Sequence, residues 1–233
     1  MAATESTPAG RGGLRADALR NRQRILEAAR QIFEERGLDA PLDEIAESAR
    51  VGAGTLYRRF PTREALIEAV FEKQLAKVAT ITEEASHCED PWVGFSTYLE
   101  QLCAAMAADR GLSELLLLKL PDSAPAAGSR ERHARAMARL LHRAQEAGAV
   151  RDDLVAEDVF LFLVANDAVT QMTRCAAPHA WRRLVALLLD ACRPEHTGPL
   201  PAAPTPLQAE RARHERAKSK GLKSAGGKDQ SDR

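Results

Sequence analysis

Aromatic residues are scarce in this chain, 4% of its 233 positions. Ala, Leu, Arg and Glu are abundant instead, which favours an all-helical protein, and no segment reads as β-rich. Cysteine is rarer still. Cys88, Cys103, Cys175 and Cys192 stand far apart, and no C-x-x-C pair is available to hold a metal or a redox disulfide. Buried free thiols are the expected state. Cys175 has a basic neighbour, Arg174, of the kind that a redox sensor needs.

Apolar runs are short as well. Leu115–Leu118 is far below the length that crosses a bilayer, and the first residues lack the apolar stretch of a signal peptide. No membrane partner is expected. The compartment is expected to be the cytoplasm, where disulfides are uncommon. Net charge is absent too, with 33 basic against 33 acidic residues. That balance argues against a protein that coats nucleic acid along its whole surface, and leaves local patches to decide affinity. Signatures of catalysis are missing: there is no phosphate-cradling glycine loop, no H-E-x-x-H and no nucleophile elbow. Glu84 and His87 have the Glu-x-x-His spacing of helical di-iron proteins, but only once where two copies are required. No catalytic residue, metal or cofactor is therefore expected.

What is present centres on Leu42 to Arg63. Leu42, Ile45, Ala46 and Ala49 recur at helical spacing. Val51 and Gly52 interrupt that helix, and a second one follows from Ala53 to about Arg59. Leu56 and Phe60 turn inward there, while Thr55, Tyr57 and Arg58 turn outward. Helices this short are unstable alone, so they must dock on each other and on their neighbours. That is the layout of a helix-turn-helix, whose second helix enters a major groove. From Arg50 to Arg63 inclusive there are four arginines and no acid. Positive charge beside a tyrosine and a threonine suits phosphate oxygens and base edges, although a solvated charged face is the bland alternative.

Residues Ile25 to Val70, and most specifically the GTLYRRFPTREAL segment from Gly54, resemble the DNA-binding domain of the TetR family of transcriptional regulators. The resemblance spans residues 19–78. Within the family, the RGLDAPLDEIA segment and the later DDLVAEDVFLF pattern look closest to the SbtR-like branch. It implies an all-α fold of about nine helices, in which a three-helix head precedes a larger ligand-binding and dimerisation domain. It also implies a homodimer on a palindromic DNA operator and a small-molecule effector. The DNA contacts carried over or read from charge are Arg20, Arg22, Ala53, Gly54, Thr55, Tyr57, Arg58, Arg59 and Arg63. Tyr57 and Arg63 are expected on phosphate, and Arg58 on guanine. Two positions depart from the family pattern. Arg50 stands where glycine is common, at a place that needs a left-handed conformation. Ala40-Pro41 replaces a hydroxyl that holds phosphate in many relatives, with Pro41 suited to the first helical position.

Along the chain, residues 1–18 read as a mobile basic arm and Asn21 as the cap of helix 1. Residues 19–78 form the head. Gly37 ends the first helix, and Thr62 caps helix 4, which runs from Arg63 to about Ala85. Residues 79–193 form the C-terminal domain. Its helices are expected at Pro91–Ala108, Leu112–Leu120, Arg130–Ala147, Ala156–Arg174 and His179–Cys192, with a loop over Pro121–Ser129. The last two helices are apolar on several sides, which fits a four-helix dimer bundle, with burial inside one subunit as the alternative. Residues 194–233 read as a Pro-rich linker and then a disordered basic tail. Polar residues on otherwise apolar helices are the candidate effector contacts: Cys103, Met106, His133, Asn166, Asp167 and Thr170. Each could equally be satisfied within the core or across the dimer interface. A repressor is the expected role. An activator, a ligand-independent regulator and, more remotely, a helical small-molecule-binding enzyme remain open.

Overall fold

The computed structural model describes residues 10–118, 124–195, 198–213 and 215. Among these, every regular element is helical. In chain order they are α1 (Gly10–Arg36), α2 (Leu42–Ser48), α3 (Ala53–Arg59), α4 (Arg63–Ser86), α5 (Pro91–Ala108), α6 (Arg110–Leu118), α7 (Ala124–Glu146), α8 (Ala156–Thr173) and α9 (Ala180–Ala191). A tenth helix covers 206–213. No helix of the described residues is long and apolar enough to cross a membrane.

Most boundaries follow local chemistry. Gly37, at φ +86°, ends α1, and a Cβ there would also meet the Glu114 carboxylate. The Thr62 hydroxyl accepts from the Ala65 amide at 3.1 Å and starts α4. Asp90 caps α5 through the amides of Trp92 and Val93, with Pro91 in the first turn. Asp158 reaches back to the Val155 amide at 2.9 Å and starts α8.

Four expectations are corrected. The first helix begins at Gly10, so residues 10–18 of the expected mobile arm are helical and Asn21 lies inside α1 rather than capping it. The run of Ala, Leu and Arg there continues the helix, and no breaker follows Gly13. Pro41 is the residue before α2, with φ −59° and ψ 135°, not its first helical residue. The expected loop over Pro121–Ser129 is shorter, because α7 already runs from Ala124; residues 121–123 lie outside the described residues. The linker and tail contain the helix over 206–213, where Ala209 is buried. Residues 216–233 lie outside the described residues.

Two hydrophobic cores share the chain. The head core joins Ile25, Ala29 and Phe33 of α1 to Ile45 and Ala46 of α2, Leu56 of α3, and Leu66 and Phe71 of α4. The second core joins Val78, Ile81 and Ala85 of α4 to α5, α7, α8 and α9. The change of core thus falls within one unbroken helix, α4. Helix α6 also serves both: Leu112 and Leu115 lie in the head core, whereas Leu117 lies in the other. Gly111 lets α6 close on the head, since a Cβ there would stand 2.6 Å from the Phe71 ring.

Candidate nucleic-acid interface

Ala46 and Ala49 are buried between the two short helices, and small side chains let the backbones approach. The turn closes with two hydrogen bonds, from the Arg50 amide to the Glu47 carbonyl and from the Val51 amide to the Ala46 carbonyl, both 2.9 Å. This is a Schellman ending, with Arg50 in the left-handed position at φ +52°. It is the one non-glycine residue of positive φ among the described residues. The Arg24 guanidinium donates to the Arg50 carbonyl at 3.2 Å and ties the turn to α1.

From this turn α3 stands with Leu56 and Phe60 sunk into the head core. Ala53, Gly54, Tyr57, Arg58 and Arg59 are exposed and Thr55 is half-buried, so the outward face is the one expected. Gly52 and Gly54 both have open space where a Cβ would point. The fold itself therefore does not require glycine at either position.

The arginines divide by what they touch. Arg58 makes no hydrogen bond to a described residue and lies exposed on α3. Arg59 donates to the Ala18 carbonyl at 2.9 Å, Arg22 lies 5.9 Å over the Phe60 ring, and Arg20 pairs with Asp17 at 2.5 Å. Arg22 and Arg59 line the seam between α1 and the end of α3, and Arg20 stays exposed on α1. Arg63 is turned inward: its Nη1 donates to the carbonyls of Leu38 (2.9 Å) and Ala40 (2.6 Å). It braces the α1–α2 loop, a role that the sequence reading missed.

The candidate effector residues fall into two groups in the second core. His133 faces the Thr82 hydroxyl (3.1 Å) and the Tyr98 hydroxyl (3.4 Å), joining α7 to α4 and α5. Burial holds His133 below its ordinary pKa and pushes the Tyr98 phenol up. The other group sits on α8. Asn166 donates to the Cys103 carbonyl at 3.3 Å. Asp167 accepts from the Ser113 hydroxyl at 2.7 Å. Thr170 is buried one turn further on. Cys103 is fully buried and burial pushes its thiol up to about 12. Met106 is buried in the same core.

Sequence reasoning missed Thr82, Tyr98 and Ser113. It also missed the polar bonds of α6 to the head. Asp109 accepts from Arg30 at 2.6 Å while its other oxygen caps α6 through the Leu112 amide. Glu114 accepts from the buried Leu38 amide at 3.1 Å, and Arg110 donates to the Glu35 carbonyl at 3.3 Å. Only an acid-for-base pairing across some 80 positions could have signalled them.

Comparison with known proteins accounts for both halves. The model of the bacterial regulatory proteins of the tetR family matches residues 25–70, and that of the C-terminal domain of SbtR-like transcriptional regulators matches residues 90–194. An HTH-type transcriptional regulator of Staphylococcus aureus is 40% identical over 63 residues, which are 27% of this chain and 34% of that protein. The chain thus spans about a third of the length of the curated relatives it matches. A TetR transcriptional regulator from Streptomyces coelicolor is 33% identical, with 74% of this chain and 98% of that chain covered at a TM-score of 0.47. PfmR, a TetR family transcriptional regulator from Thermus thermophilus, is 20% identical over 78% of this chain and 98% of its own, and shares the fold at a TM-score of 0.54. Matched in its helix-turn-helix head and in its C-terminal domain alike, this chain belongs to the TetR family of transcriptional regulators.

Proposed function

We propose that the protein is a dimeric, ligand-responsive repressor that reads a palindromic operator in the cytoplasm. The observation that carries it is the outward face of α3, where Thr55, Tyr57, Arg58 and Arg59 project from a helix anchored by Leu56 and Phe60. Arg58 reads guanine, Tyr57 and the free N–H groups of Arg63 meet phosphate, and Arg20 and Arg22 extend the basic seam. Ala53 and Gly54 bring the backbone close to the duplex.

Dimerisation is supported by apolar stripes on the last two long helices. Leu161, Ala165, Ala168 and Met172 recur at helical spacing along α8, with Met172 87% exposed; Leu184, Leu187 and Ala191 do so along α9. Largely exposed stripes of this kind mark a helix-bundle interface. Two copies joined there present two recognition helices, which predicts half-sites about 34–36 Å apart or a multiple of it.

Ligand response is supported by the position of α6. Ser113 holds Asp167 of α8 on one side, while Asp109 and Glu114 hold Arg30 and Leu38 of the head on the other. A ligand bound beside α8 that favours one placement of α6 would shift the spacing of the heads, in proportion to its differential affinity for the two states. A promoter reporter beside the protein's own gene tests the sign of regulation. Expression should rise when the gene is deleted; a fall would make the protein an activator.

A further inference from the structure

Asn166 is fully buried on α8, and Thr170 lies one turn along the same face at 7% exposure. The Asn166 amide nitrogen is committed to the Cys103 carbonyl. That commitment fixes the orientation of the amide, because the flipped form would set two acceptors against each other. Its Oδ1 therefore points elsewhere, and among the described residues it has no hydrogen-bond partner. The Thr170 hydroxyl has none either. Helical threonines usually satisfy themselves on the carbonyl one turn back, as Thr80, Thr82 and Thr173 do here on Ala76, Val78 and Val169. Thr170 does not take the equivalent bond to Asn166. Two polar atoms left open one helical turn apart in an interior are rare enough to call for an occupant.

Resting on the reading of this interior as the effector site, we propose that Asn166 and Thr170 bind an uncharged ligand that donates a hydroxyl hydrogen bond, an alcohol or a phenol. The open Asn166 group is an acceptor, so the ligand must donate. The second core, to which Leu99, Leu102, Met106 and Leu117 belong, is hydrocarbon and suits an apolar body. Burial keeps the Cys103 thiol and the His133 ring neutral at pH 7. A carboxylate or a coenzyme thioester bearing phosphates would find no cation among the described hydrogen-bond partners of Asn166 and Thr170.

The test measures thermal midpoints of the full-length protein with phenol, benzyl alcohol and 2-phenylethanol, and with benzylamine, benzoate and toluene as matched probes of other charge or without a donor. The alcohols should raise the midpoint saturably and the other three should not. Thr170→Val should leave the ligand-free midpoint unchanged or higher, since it removes an unsatisfied hydroxyl, yet raise the half-saturating alcohol concentration about tenfold. Asn166→Leu should abolish the response. The proposal is overturned if benzoate or benzylamine matches the alcohols, if no alcohol shifts the midpoint, or if Thr170→Val binds as the parent does. Operator release is read separately. Alcohol binding that Thr170→Val weakens, without release from DNA, keeps the site and removes only its regulatory role.

Discussion

The amide of Val51 donates to the carbonyl of Ala46 at 2.9 Å, and this bond sets the angle at which α3 leaves α2. The bond requires Arg50 between them to be left-handed. An L-residue with a side chain pays about 1 kcal/mol for that conformation relative to glycine. Arg50→Gly should therefore stabilise the protein by about 1 kcal/mol, read as a higher midpoint in urea at unchanged slope. No gain would mean that the Arg50 side chain itself contributes to stability.

Arg63 and the α1–α2 loop give a second expectation. Its guanidinium holds two carbonyls, at Leu38 and Ala40, and hydrogen bonds from a charged donor contribute about 1.5–3 kcal/mol. Arg63→Met should speed amide exchange across residues 37–42 and lower stability by about 1–2 kcal/mol. If exchange is unaffected and only DNA binding weakens, Arg63 serves phosphate alone.

Coupling through α6 is measurable without any ligand. Asp167 touches Ser113, and Glu114 touches the Leu38 amide, on two different faces of one helix. Asp167→Asn and Glu114→Gln should be non-additive in operator affinity by about 0.5–2 kcal/mol. Additive losses would show that α6 does not link the two sides.

His133 makes stability depend on pH. Burial lowers its pKa from 6.5, so the unfolded chain binds the proton more readily than the folded one. Its stabilising contribution is present above the unfolded value and is lost as pH falls below 6.5 toward the lower folded value. The difference in stability between the parent and His133→Gln should shrink as pH drops through that window. A difference that is constant with pH would contradict the assignment.

The head was legible in the sequence because each short helix there carries its own signals. Leu42, Ile45 and Ala46 gave the period, Thr62 the cap and Gly37 the stop, and the family resemblance put Arg50 at a position that needs a left-handed conformation. The start of α1 was not legible: nothing in residues 10–18 marks a helix beginning except the absence of a breaker. Nor was the double allegiance of α6, since Leu112, Leu115 and Leu117 look alike in sequence and only tertiary packing sends them to different cores. Arg63 was read from charge alone, which cannot tell a phosphate contact from a bond to a backbone carbonyl. Asn166 and Thr170 stood out as polar residues on an apolar helix, but that they are left without partners is a fact of packing.

The central claim is that two copies of α3 read adjacent turns of one duplex, and selection of bound sequences from a random DNA pool at moderate salt tests it most directly. Enrichment of two inverted half-sites, centred about 34–36 Å apart or a multiple of that, is the predicted result, with preference at one position per half-site lost in Arg58→Ala. Recovery of no preferred sequence, or of a single unsymmetrical site bound by one subunit, would contradict it.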